Sequence, residues 1–199
     1  IVAGNYIGTN IFGQSGLGNT VGIAINSDQN IIGGSGTFSP NTISGNQIGI
    51  AIYAAPPDTY ADQNSIVNNI IGLSALQDSV IPNNHGISIT NGVTNTKIYD
   101  NVISGNATDG IGIFAYDDIS YTSGHIIYRN RIGVNKNNVQ YPNRTGISIY
   151  GNVADVTIGT DEINNYMPNT IVGNEETGLE IKSYFGYSPN EIVFRKNII

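Results

Sequence analysis

Gly22-Ile23-Ala24-Ile25 is the first of six copies of one phrase. Gly49-Ile50-Ala51-Ile52, Gly86-Ile87-Ser88-Ile89, Gly110-Ile111-Gly112-Ile113, Gly146-Ile147-Ser148-Ile149 and Gly178-Leu179-Glu180-Ile181 follow it. Apolar residues two apart share one face of a strand, and no window carries the rhythm of about 3.6 residues that marks a helix. Each phrase is therefore a short strand. The residue between the two apolar positions faces the other way, and it is small in five of the six copies.

A second phrase alternates with the first: Asn followed two residues on by Ile, at Asn5, Asn41, Asn69, Asn101, Asn130, Asn169 and Asn197. Successive anchors are 36, 28, 32, 29, 39 and 28 residues apart, a repeat of solenoid length. A third apolar stretch precedes each following Asn, at Ile31-Ile32, Ile66-Val67, Ile98, Ile126-Ile127, Val156 to Ile158 and Ile192-Val193. Ile contributes 34 residues against four Leu, and β-branched side chains suit a pleated surface. The expected fold is all-β: a right-handed, single-stranded parallel β-helix of about six turns, each of three short strands, filling residues 1–199 as one domain.

The gap from each Asn anchor to the next phrase glycine is 17, 8, 17, 9, 16 and 9 residues, so long and short turns alternate. The extra residues, Thr9 to Thr20, Leu73 to His85 and Asn135 to Arg144, are expected to protrude from one edge as a comb. With turns about 4.8 Å apart, its teeth recur about every 9.6 Å. The recurring Asn amides are expected to stack along the axis and hydrogen-bond from turn to turn.

The phrases Gly4-Asn5-Tyr6-Ile7-Gly8-Thr9, Leu17-Gly18-Asn19, Asn41-Thr42-Ile43-Ser44-Gly45-Asn46 and Asn101-Val102-Ile103-Ser104-Gly105-Asn106 resemble the repeats of right-handed parallel β-helices in the pectin-lyase-like superfamily. The resemblance covers nearly the whole chain. It implies a secreted or cell-surface protein, but that superfamily holds lyases, hydrolases, epimerases, tailspikes, adhesins and spacers alike, so it implies no single activity.

A net charge of -7 with eight basic residues in no stripe argues against nucleic acid as a partner. No run approaches the roughly 18 to 20 apolar residues of a membrane span. Without Cys, neither disulfides nor thiol chemistry contributes. Strand phrases run to both ends with no polar or helical cap, which suggests a segment of a longer chain or a unit stacking on copies of itself.

Asp117-Asp118, Gly124-His125 and Arg131 superficially resemble the catalytic motifs of polygalacturonase-type hydrolases. In that family the motifs lie on successive turns. Here they fall within one, the second Gly and the Lys of those motifs are missing, and adjacent Asp residues commonly cap a turn. Asp117, Asp118, His125 and Arg131 are thus weak catalytic candidates. Asp100, Asp109, Asp117, Asp118 and Asp155 lie too scattered in phase to cage Ca²⁺, and His85 reads as an isolated polar residue in a loop. No ligand spacing indicates a metal, and no cofactor is expected.

The aromatic residues carry more. After the Gly-Ile phrase of each short turn comes a ring-rich corner: Tyr53 to Tyr60, then Phe114, Tyr116 and Tyr121, then Tyr184, Phe185 and Tyr187. Rings at such spacing beside a flat strip of small residues suit an extended polysaccharide or a neighbouring copy, and the candidate binding residues are Tyr53, Tyr60, Phe114, Tyr116, Tyr121, Tyr184 and Tyr187. Two sequons, Asn106-Ala107-Thr108 and Asn143-Arg144-Thr145, would permit glycosylation. The expected function is a structural or adhesive segment of an extracellular surface, fibre or filament protein, with a polysaccharide-active enzyme or a tailspike as the alternative.

Overall fold

The computed structural model describes residues 1–34, 40–54, 61–116, 121–159 and 168–199. Among them every pairing between named strands is parallel, and the strands stack into three sheets that wind as a β-solenoid without helix. The Gly-Ile phrases form one sheet six strands deep: Val21–Ile25, Ile48–Tyr53, His85–Thr90, Asp109–Ala115, Thr145–Gly151 and Thr177–Lys182. The Asn phrases form a second, also six deep, from Tyr6–Ile7 to Thr170–Ile171. The third apolar stretches build the remaining sheet, from Ile31–Gly33 through Lys97–Tyr99 to Asn190–Arg195.

Register is what turns the repeat into a core. Ile25 pairs with Ile52, Ile52 with Ile89, Ile89 with Ile113 and Ile113 with Ile149, so one interior column is Ile throughout. Ile23, Ile50, Ile87, Ile111 and Ile147 form a second such column beside it. These meet Ile43, Ile71, Ile103 and Ile132 from the Asn sheet and Ile66, Ile98 and Ile127 from the third, in one continuous apolar cluster. A parallel sheet hidden on its inner face gains most when like-shaped branched side chains interlock from turn to turn.

The phrase glycine is required by close approach rather than by unusual backbone angles. A Cβ on Gly86 would lie 2.5 Å from the Gly110 carbonyl of the next turn, and Gly22, Gly49, Gly110 and Gly146 repeat that geometry, whereas Gly178 has only ordinary contacts. At the corner before the Asn sheet the chain instead passes through the left-handed region in three successive turns. Asn68, Asp100 and Arg129 adopt φ of 53°, 58° and 53° immediately before Asn69, Asn101 and Asn130.

Those Asn residues form the expected amide ladder. Asn101 Nδ2 donates to Asn130 Oδ1 at 3.0 Å, Asn130 Nδ2 to Asn169 Oδ1 at 3.0 Å, and the backbone N–H groups of Asn101 and Asn130 share the same acceptors. A second ladder runs Asn19, Asn46, Asn83, Asn106, Asn143 and Asn174 on the opposite side of the Asn sheet. Both serve backbone groups that the bend leaves outside the sheet pairing, a need that any buried corner has to meet. The second ladder overturns the glycosylation expectation. Asn106 and Asn143 are buried, with both amide ends committed, so neither sequon presents an acceptor at the surface.

The three inserts leave one edge, each closed at its base by an antiparallel bridge: Thr9 with Gly16, Leu73 with Val80, Val134 with Gln140. They are not separate teeth. Ala75 N–H donates to Gly13 O, Asn135 Nδ2 donates to Gln77 O, and Tyr141 Oη donates to Asp78 O, tying each insert to the next. An extended polar insert two turns above another is long enough to bend across the intervening short turn and recover hydrogen bonds that solvent would otherwise supply. Among the described residues no helix is long and apolar enough to cross a membrane.

Candidate functional site

The outward face of the Gly-Ile sheet carries a polar cavity of about 290 Å³, lined from the His85–Thr90, Asp109–Ala115, Thr145–Gly151 and Thr177–Lys182 strands and the residues leading into them. His85 and Asp109 each immediately precede a phrase glycine, which sets them on neighbouring turns at the mouth of the sheet. His85 Nδ1 lies 3.0 Å from Asp109 Oδ2 and 2.9 Å from Thr108 Oγ1. Ser148, the small outward residue of its phrase, donates its hydroxyl to the other Asp109 oxygen. His85 is thus a strand residue with a carboxylate partner, not a lone loop residue, and Asp109 is in phase with it.

One turn further, Glu180 breaks the run of small outward residues and accepts from both the Tyr150 hydroxyl and the Lys182 ammonium. These two donors hold the Glu180 carboxyl below its ordinary range, Lys182 contributing first. Burial, with the carboxylate acceptor reinforcing it, pushes the Tyr150 phenol up to about 12. Arg144 Nε meets Glu176 Oε1 at 2.9 Å on the open rim. The cavity therefore offers ionised carboxylates, hydroxyls and cations to a polyhydroxylated ligand. Among its described groups, Glu180 is held in the charged form, opposite to the raised carboxyl that a general acid for glycoside cleavage requires.

A run of rings adjoins the cavity. Tyr150 leans on Phe114 with centroids 5.4 Å apart, Phe114 stacks with Tyr116 at 5.9 Å, Tyr116 meets Tyr184 edge-on at 5.2 Å, and Tyr184 meets Phe185 at 4.6 Å. The expected spacing of about 9.6 Å between rings is replaced by direct contact, because Tyr150 of a long turn and residues from neighbouring corners fill the gaps. Phe114 is buried, its ring lying over Gly112, and it acts as the base of the cluster. Tyr116 and Tyr184 remain 44% and 39% exposed. Burial raises the Tyr116 phenol, with the Tyr184 and Asp109 charges adding to it. Tyr53 and Tyr121 are exposed and Tyr187 half-buried. Tyr53 lies in the same register column as Phe114, separated from it by Thr90.

Of the weak catalytic candidates, the two described ones, His125 and Arg131, lie on different elements, a corner and a strand. Asp117 and Asp118, like Tyr60, lie outside the described residues. His125 is buried in a corner column below Asn30, Asn64 and Thr96, and Gly124 before it, at φ 75°, takes the bend that Gln29, Gln63 and Asn95 take in earlier turns. The Gly-His pair is therefore a corner, filled by an imidazole whose Nδ1 accepts from Thr96 N–H. Arg131 belongs to the Asn sheet and contacts Asn138. Among the described residues no cluster of three or more His, Cys, Asp or Glu could hold a metal ion.

The cavity was legible only through position: His85 and Asp109 stand one residue before the glycine, Ser148 and Glu180 two after it. Comparison of the chain with family models, with curated proteins and with solved structures returns no match.

Proposed function

We propose that this chain is a carbohydrate-binding β-solenoid segment of an extracellular surface, fibre or filament protein, within the pectin-lyase-like group whose repeats it resembles. The observation that carries the reading is the juxtaposition of exposed Tyr116 and Tyr184 with the cavity of His85, Asp109, Tyr150 and Glu180 on one flat face. Rings stack on the apolar faces of sugars, and nearby hydroxyls and carboxylates take the sugar hydroxyls, so an extended glycan laid across the turns meets both. Contact with copies of itself is a further part of the proposal, favoured by the exposed Ile11, Phe12, Leu76 and Val139 on the inserts.

A glycan array followed by calorimetry tests it. A ligand that binds and loses roughly tenfold or more in affinity in Tyr116→Ala and Tyr184→Ala is the expected result. An array on which no glycan is retained overturns it. The alternative, a polysaccharide-active enzyme, is favoured by one observation, the presence of Asp109 and Glu180 in one cavity. Release of reducing ends or unsaturated products from the retained glycan would establish that reading instead.

A further inference from the structure

We propose, resting on the carbohydrate reading above, that the ligand is a cationic amino-sugar chain whose free ammonium groups sit at Asp109, and that polyuronates are excluded. The inference follows from how the cavity's charges are already committed. Of its two permanent cations, Arg144 is paired with Glu176 and Lys182 with Glu180. An incoming carboxylate would have to displace a partner from one of these pairs and would then face three carboxylates, those of Asp109, Glu176 and Glu180. Its three carboxylates outnumber its two permanent cations, Arg144 and Lys182, and both of those cations are spent on Glu176 and Glu180.

Asp109 is also the one carboxylate of the three with no permanent cation on it. Its oxygens are engaged by the Ser148 hydroxyl and the His85 imidazole rather than by a Lys or an Arg. Its field is felt by Tyr150 within the cavity and by Tyr116 beside it, since it adds a small part to the raising of both phenols. The neighbouring ring faces carry negative quadrupole density, which attracts a cation as the carboxylate does. A ligand that is hydroxylated along its length and bears primary ammonium groups matches rings, hydroxyls and charge together. N-Acetylation would remove the ammonium and leave only the ring stacking and hydroxyl contacts.

The test uses the 199-residue chain and three defined hexamers, glucosamine, N-acetylglucosamine and galacturonate, with a hexalysine peptide as a fourth probe. The glucosamine hexamer is expected to bind at least tenfold more tightly than either other sugar and than hexalysine, and to lose that margin in Asp109→Asn. Asp78→Asn, an exposed carboxylate on an insert, is expected to leave it unchanged. Circular dichroism of Asp109→Asn checks that the fold is retained, and the wild-type ranking of the four probes stands without that variant. Equal or tighter binding of the N-acetylated or uronate hexamer overturns the inference and leaves the carbohydrate reading intact. Preference for hexalysine overturns it in favour of a basic peptide. Retention of none of the three hexamers also overturns it, and the wider array then decides whether the carbohydrate reading falls too.

Discussion

His125 shows how much one residue can change within a repeat. In its corner column the Asn64 amide accepts from Asn30 N–H, and two turns on His125 Nδ1 accepts from Thr96 N–H in the same way. The imidazole is fully buried, and Nε2 and the Thr96 hydroxyl find no well-aligned partner. Burial pushes the His125 imidazole down to about 4, opposed in part by the Val93 carbonyl. The unfolded chain takes up that proton near pH 6.5, so His125 leaves stability intact above 6.5 and erodes it as the pH falls towards 4. A gap of this size amounts to about 3 kcal/mol. Urea unfolding of wild type and His125→Asn at pH 7.5 and 4.5 should show the variant losing about that much less on acidification. An Asn there restores the ladder chemistry of Asn64 without a titrating group. Equal losses in both proteins would mean that the buried imidazole does not control acid stability.

At the scale of the strand, Asp109–Ala115 joins the cavity to the rings: Asp109 opens it, Gly112 lies beneath the Phe114 ring, and Phe114 supports Tyr116. Ser88 and Ser148 flank Gly112 in register, so the sequence alone presents a glycine where a serine would serve equally well. The structure gives the reason for the glycine, because a Cβ at Gly112 would sit 2.4 Å from the Phe114 ring carbons. Gly112→Ser should therefore cost about 1–3 kcal/mol by forcing the ring off its seat. The same substitution in a Phe114→Ala background should cost much less. Urea unfolding of the two singles and the double measures this, and an equal cost in both backgrounds would acquit the ring.

The strand also marks where sequence reading ran out. The Ile columns and the first Asn ladder were legible because like residues stack on like, so each copy announces its neighbour. The cavity pairs unlike residues across a turn, His85 with Asp109, Asp109 with Ser148 and Tyr150 with Glu180. Turns of unequal length hide such pairings unless positions are counted from the phrase glycine.

Over the whole molecule, each turn touches mainly the turn above and the turn below, so stability should be close to a sum of local terms and nearest-neighbour interfaces. The interior columns make this testable, since Ile50, Ile87, Ile111 and Ile147 are fully buried and paired in succession. Ile111→Ala should cost about 2–5 kcal/mol through the lost contacts and the cavity left behind. In a solenoid that loss need not be shared by every turn. Native-state hydrogen exchange should show faster exchange in Asp109–Ala115 and in the adjoining His85–Thr90 and Thr145–Gly151 strands. Val21–Ile25, three turns away, should keep its protection. The linked inserts are the one feature that works against such locality, because they bind alternate turns directly through Ala75, Gln77 and Asp78. If Ile111→Ala accelerates exchange equally in all four strands, the inserts clamp the turns into a single cooperative body. Gln77→Ala, which removes the Lys136 N–H acceptor in that clamp, should then restore the gradient.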